Sequence, residues 1–342
     1  MKTKHIKKIC LVQVFIACCL IACSRDETPV RRLPAEDTTA KTEESYHWIA
    51  ATNQAVSRIE VYDPVNFANW NTAGALKWSW APNASNGFTN PTAGWGLPSD
   101  VKLRNSTFFG GQMMIVADSR GFCAIIPYPA GNTKKWAINL GLISPNPNAH
   151  AIELLPDGNV AIAASAGDWV RVYKSSKGVY NSEYFQFTLD DAHGVLWDPA
   201  SNLLWVLGAT HLKALAVLSS PDSLKEVHSY SLPTNGGHDL SPYYYNTNLL
   251  WVSTGSKVYT FNKTTGEFIL APGSANGVGV KAISNQPAGQ IIETRPSTNS
   301  CSNTWSTTTV SMYDGISGSL VATRTVNGAC FYKARVWLPY YQ

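Results

Sequence analysis

Charge is scarce in this sequence: Asp, Glu, Lys and Arg together supply 15% of its 342 residues. From Tyr46 onward there is also no sustained helical period, which leaves strands as the building element. Other absences narrow the chemistry. No Gly-x-Gly-x-x-Gly fingerprint, phosphate-cradling glycine loop or nucleophile elbow occurs, so dinucleotide, nucleotide and triad-hydrolase sites lack their sequence signatures. The seven cysteines show no zinc-knuckle spacing. No apolar run reaches the roughly 20 residues a comfortable membrane span needs.

What is present begins with the N-terminus. Lys2, Lys4, Lys7 and Lys8 form a short basic region, followed by an apolar stretch from Ile9 to Ala22 interrupted only by Gln13. This reads as a signal peptide, residues 1–22. Leu20-Ile21-Ala22-Cys23 resembles the lipobox of bacterial lipoproteins. The resemblance implies cleavage before Cys23, lipidation of its sulfur and a firm membrane anchor, since two or more acyl chains hold a protein stably. Cleavage removes four lysines and no acid, so the formal net charge of +4 falls to zero. No basic stripe remains to recommend a nucleic-acid partner. Residues 24–44 are polar and read as a flexible tether. Their acidic start, Ser24-Arg25-Asp26-Glu27, is similar to export signals of surface lipoproteins in the Bacteroides group. The expected location is therefore the outer membrane, facing the periplasm or the exterior. Three cysteines remain beyond the anchor, Cys123, Cys301 and Cys330. Of these, Cys301 and Cys330 are the pair to test for a disulfide, with isolated buried thiols as the alternative.

Residues 45–342 consist of short β-rich runs punctuated by Gly, Pro, Asn and Asp. Trp and Tyr are abundant, at 12 and 15. The runs repeat. Ala149-His150-Ala151-Ile152, Ala192-His193-Gly194-Val195, Gly237-His238-Asp239-Leu240 and Val280-Lys281-Ala282-Ile283 each open a unit of turn, strand, strand and strand. Ser99-Asp100-Val101-Lys102 and Tyr332-Lys333-Ala334-Arg335 open two more. The anchors Asp100, His150, His193, His238, Lys281 and Lys333 recur at the 40–50-residue period of four-stranded propeller blades. That period is too long for a β-helix and too regular for a β-sandwich. The last unit has one strand only. Its missing partners are His47 to Asn53, Val56 to Tyr62 and Leu76 to Trp80. Joining the two chain ends in one blade leaves no open sheet edge. The expected fold is an all-β, six-bladed propeller.

At these same stretches, above all 146–159, 192–198, 236–240 and 332–335, the chain resembles an uncharacterised domain-of-unknown-function family of secreted bacterial proteins. The resemblance covers nearly the whole mature chain and implies a propeller. It implies no activity.

In a propeller the innermost strand of each blade lines a central channel. The six anchors are thus expected to converge at one mouth as a ligand-binding set. Three readings of that set stay open. His150, His193 and His238 match a common ligand set for a divalent metal, although two lysines nearby would repel a cation. Lys281, Lys333 and protonated histidine would hold an anion such as an acidic glycan. Alternatively, the side chains satisfy one another with ordered water. The same histidines could serve an enzyme, a polysaccharide lyase or metal-assisted hydrolase, as acid or base. A protein-interaction scaffold is a further class. Asn148 and Arg335 are expected to flank the mouth, and Asp239 to orient an imidazole or cap a turn. Trp95, in the loop from Pro82 to Pro98, either packs or stands exposed for sugar stacking, and Tyr243, Tyr244 and Tyr245 offer the same choice. The irregular insertion from Thr298 to Trp305 is expected to lie over one face.

Overall fold

The structure is a computed structural model that describes residues 46–89, 93–142, 147–297 and 301–342. The signal segment, Cys23 and the tether lie outside the described residues. Among the described residues no helix is long and apolar enough to cross a membrane.

Twenty-four strands form six antiparallel four-stranded sheets. The first three, β1 (Ile49–Asn53), β2 (Arg58–Tyr62) and β3 (Leu76–Trp80), belong to the blade that joins the chain ends. The second blade holds β4 (Pro98–Ser106), β5 (Gly111–Asp118), β6 (Phe122–Pro127) and β7 (Trp136–Asn139). The third holds β8 (Ala149–Leu154), β9 (Val160–Ala164), β10 (Trp169–Tyr173) and β11 (Tyr184–Thr188). The fourth holds β12 (Gly194–Asp198), β13 (Leu203–Leu207), β14 (His211–Ser219) and β15 (Asp222–Ser231). The fifth holds β16 (Asp239–Pro242), β17 (Leu249–Ser253), β18 (Val258–Asn262) and β19 (Glu267–Leu270). The sixth holds β20 (Ala282–Asn285), β21 (Ile291–Thr294), β22 (Thr309–Tyr313) and β23 (Leu320–Thr325). The last strand, β24 (Phe331–Val336), pairs with β1, with Val336 opposite Ile49 and Arg335 opposite Ala50. The closure expected from the repeat is the closure observed.

Burial explains the sequence pattern. Strands β8, β9 and β10 are buried at every position, because each blade packs between two others; they read as continuous apolar runs with few charges. The outer strand β11 alternates exposed and half-buried residues along Tyr184–Thr188, as a strand with one wet face does. Six apolar clusters hold the ring, each shared by two adjacent blades. One joins Met113, Ile115 and Trp136 to Ile152, Ile162 and Trp169, and another joins Phe331 and Ala334 to Ile292, Val310 and Met312. Trp95 belongs to such a cluster: it is 7% exposed, lies edge-on to Trp80 and Phe122, and donates its indole N–H to Ser57 O. It packs and offers no face to a sugar. Tyr243 likewise stacks on Trp251, and Tyr244 is buried; only Tyr245 is exposed.

The channel floor is charged rather than apolar. Arg335 donates two 2.6 Å hydrogen bonds to Asp239 and reaches Asp100 Oδ1 at 3.1 and 3.2 Å. Lys333 meets Asp239 at 3.1 Å. Lys102 lies within 3.5 Å of Asp100 and Glu153, and Arg104 grips Glu153 at 2.7 and 2.8 Å. All seven are buried. Asp100 and Asp239 do equivalent work in two blades, each accepting a backbone N–H from the neighbouring inner strand, Ile152 and Ile283 respectively. Three expectations are corrected here. Asp100 and Lys333 do not stand at the mouth but one level deeper, and Arg335 is at the same depth. Asp239 orients no imidazole; its oxygens are spent on Arg335, Lys333 and Ile283. Nor are Cys301 and Cys330 joined: the Cys301 thiol donates to Ala329 O, and Cys330 is a buried thiol.

Removing one side of a buried ion pair strands the other charge, at a cost of roughly 3–5 kcal/mol. Arg335→Leu, which leaves Asp100 and Asp239 facing each other, is expected to lower unfolding stability in urea by about that amount. A loss within experimental error would mean the carboxylates are held by something other than this guanidinium.

Candidate functional site

The mouth is built by the residues just before or at the start of the inner strands. Three of these strands carry a β-bulge at that point. In β8 the bulge falls between Ala149 and Ala151, in β4 between Pro98 and Asp100, and in β24 Tyr332 and Lys333 together oppose Thr52. A bulge inserts one residue and re-aims its side chain. The extra residues are therefore His150, Ser99 and, in the closing blade, Tyr332. His193, His238 and Lys281 precede β12, β16 and β20 directly and are tied by their own backbone N–H to Leu207, Ser253 and Thr294. The structure thus brings together His150, His193, His238 and Lys281 of the six sequence-predicted residues, and replaces Lys333 by Tyr332. Asn148 lines the same cavity, as expected.

The three imidazoles form a compact cluster of tilted and edge-on rings. Ring centroids are 4.2 Å apart for His150 and His193, 4.8 Å for His193 and His238, and 5.8 Å for His150 and His238. The Tyr332 hydroxyl bridges His150 Nδ1 at 3.0 Å and His238 Nε2 at 3.3 Å. Lys281 Nζ lies 2.9 Å from His238 Nε2. His193 Nδ1 is 2.8 Å from Asp191 O and 3.2 Å from Asp191 Oδ1. Above them opens a cavity of about 590 Å³, whose wall also includes Gln54, Leu97 and Trp305. Trp305, 44% exposed, is steadied by a 2.9 Å hydrogen bond from its indole N–H to Gln54 Oε1. The insertion containing Trp305 reaches the mouth face, though residues 298–300 lie outside the described set.

Electrostatics follow from burial beside cations. Desolvation, then neighbouring His193, Lys333 and Lys281, hold His150 well below the ordinary imidazole pKa. His238 is depressed by the same causes, with His193 and Lys281 the main neighbours. Burial, then Lys333, also lowers Lys281, which Asp191 partly opposes. Burial raises the Tyr332 phenol far above its usual range. Two rings are thus kept neutral beneath a cation.

A metal fits this set poorly. Among the described residues no group of three or more His, Cys, Asp or Glu is placed to hold a metal ion. Both His150 Nδ1 and His193 Nδ1 are engaged by protein groups, and Lys281 occupies His238 Nε2.

Sequence reasoning missed Tyr332, Asp191 and Trp305. The signal for the first was present: setting His238-Asp239-Leu240 beside Ser99-Asp100-Val101 aligns the aspartates, which moves the mouth position one residue earlier in weakly matching units.

The fold and this geometry can now be set against known proteins. Residues 6–338 match the model of DUF6528, a family of unknown function, and the chain belongs to that family. A crystal structure of a protein of unknown function from Bacteroides caccae is similar over 85% of this chain and 98% of its own, with 12% identity and a TM-score of 0.56. The nidogen/laminin complex contains a chain similar over 86% of this one and 98% of its own, with 13% identity and a TM-score of 0.56. At such identities the likeness is one of fold. No curated protein matches the chain by sequence.

The depressed imidazoles make a pH prediction. Between the folded and unfolded pKa values the unfolded chain binds a proton the folded chain refuses, so their contribution is present above pH 6.5 and is lost as pH falls below it. Asp118 and Glu293, pushed up to about 6 and about 7 by burial, act with the opposite sign, but cancel in a comparison with a variant. His238→Gln is therefore expected to lose stability less steeply than wild type from pH 6.5 downward, by up to about 1.4 kcal/mol per pH unit. Parallel stability curves in that window would place a charged His238 in the fold.

Proposed function

We propose that this protein is a lipid-anchored propeller of the cell envelope that binds an acidic glycan at the channel mouth. One observation carries the reading. Lys281 stands at the base of the cavity against a neutral imidazole, above a buried layer in which Lys102, Arg104, Lys333 and Arg335 face only three carboxylates. The local field favours a negative group, and Lys281 has no carboxylate within salt-bridge distance of its own among the described residues. A ring bearing a carboxylate suits the remaining features. The volume lies within the roughly 300–1,000 Å³ range of ligand pockets, and the half-exposed Trp305 offers an aromatic face at the rim. A single charge-assisted hydrogen bond contributes about 1.5–3 kcal/mol.

The anchor rests on the basic start, the short apolar run and the Leu-Ile-Ala-Cys sequence ending at Cys23. With that anchor, the polysaccharide within reach is extracellular or periplasmic.

Calorimetry with short oligomers of galacturonate, glucuronate and guluronate, each against its neutral counterpart, tests the site. Binding is expected for an acidic oligomer only, to weaken with salt, and to weaken at least tenfold in Lys281→Met. Equal affinity for a neutral oligomer would end the anion reading. For the anchor, Cys23→Ser is expected to abolish incorporation of labelled palmitate and release the protein from the membrane fraction.

A further inference from the structure

The hydrogen bonds at the mouth assign the ring protons of His193 and His238. Asp191 O can only accept, so His193 carries its proton on Nδ1 and presents the Nε2 lone pair. The Asp191 carboxylate, 3.2 Å from the same nitrogen, stabilises the charge that would form on protonation. Lys281, as an ammonium, can only donate, so His238 Nε2 is its acceptor. The Tyr332 hydroxyl lies between His150 Nδ1 and His238 Nε2 and can donate to either. The mouth therefore offers an oriented base, His193, in the cavity that Lys281 also lines. Asp191 is itself held in place: it has φ +48°, in the left-handed region, and its backbone N–H donates 2.8 Å to Asp168 Oδ1. A non-glycine residue in that region is retained where surrounding structure enforces it. Both Asp191 and His193 line the cavity beside Lys281.

We propose that His193 is a catalytic base, positioned by Asp191, that removes the proton on the carbon next to the carboxylate of a bound uronate. This rests on the acidic-glycan reading above and adds turnover to it. Lys281 holds the carboxylate and offsets the negative charge that develops on it as the proton leaves. In the step, His193 Nε2 takes the C5 proton. The C–H electron pair becomes the C4–C5 double bond, and the C4–O bond to the neighbouring sugar breaks. In glucuronate the C5 hydrogen and the C4 oxygen lie on one face, so the imidazolium returns the proton to the departing oxygen. Atoms and electrons balance with no oxidant, reductant or metal, and His193 ends neutral. One residue serves as base and then acid, as the His193 Nε2 lone pair and the Nδ1–H held by Asp191 allow.

The test uses the purified protein with saturated oligomers of galacturonate, glucuronate and guluronate in deuterated buffer. Proton NMR follows two signals: loss of the C5 proton to solvent exchange and growth of an unsaturated terminal ring. The glucuronate oligomer, with its C5 hydrogen and C4 oxygen on one face, is expected to give both. His193→Gln is expected to abolish both while calorimetric affinity stays within threefold, which also shows that the variant is folded. Asp191→Asn is expected to lower kcat at least tenfold with KM within twofold, and Asp191→Glu to recover part of the loss; a purely structural role would raise KM as well. Binding without exchange or cleavage overturns the catalytic proposal and leaves the binding function intact. Absence of binding by every oligomer overturns both.

Discussion

One guanidinium ties the molecule together. Arg335 sits in β24, the strand that completes the blade shared by the two ends of the chain, and it reaches across the channel to Asp239 of the fifth blade and Asp100 of the second. The closure is thus made twice, once by the β1–β24 backbone ladder and once by charge at the axis. A propeller ring has no external scaffold; each blade is held by its two neighbours, so an interaction joining three inner strands constrains all six. Burying such a cluster costs heavy desolvation and repays it only with good geometry. The bidentate 2.6 Å contacts to Asp239 supply that geometry, and the attraction holds both carboxyls below their usual range.

The mouth inherits its character from this layer. Lys333 contributes to the floor through Asp239 and through a 3.1 Å bond to His150 O, so its charge is felt directly beneath the imidazoles. Packing three imidazoles within 6 Å of one another is tolerable only if most are neutral, and burial together with the lysines enforces that. The same arrangement sets ammonium groups around the imidazoles, a surrounding that opposes a metal cation. The depressed imidazoles thus follow from burial beside the positive charge at the axis.

Much of this was legible in the sequence. The anchor spacing gave the number of blades, and the solitary final strand showed how the ring closes, because strand count per blade is a local property that turn residues punctuate. The convergence of His150, His193, His238 and Lys281 followed from the symmetry. Depth along the axis did not. It depends on single-residue bulges at Ser99, His150 and the Tyr332–Lys333 pair, and a one-residue slip turns a side chain from mouth to floor. Asp100 and Lys333 were misplaced for that reason. Aromatic exposure was equally hidden. Trp95 and Trp305 both lie in irregular loops, yet one fills an interblade cluster and the other rims the cavity, a choice set by three-dimensional packing.

The bulges also bear on why the site is asymmetric. Strict six-fold repetition would present six equivalent side chains and a ligand with no preferred orientation. Here one side of the ring carries His193 with its Asp191 partner, the opposite character is supplied by Tyr332, and Lys281 lies between His238 and the closing blade. The tyrosine enters at the mouth only because β24 carries an extra residue opposite Thr52. Without it, Lys333 would take the tyrosine's place in the register and Asp239 would lose a partner. The irregularity in the closing strand therefore serves both levels at once: it keeps one cation in the floor to neutralise a carboxylate and places a neutral hydroxyl between His150 and His238.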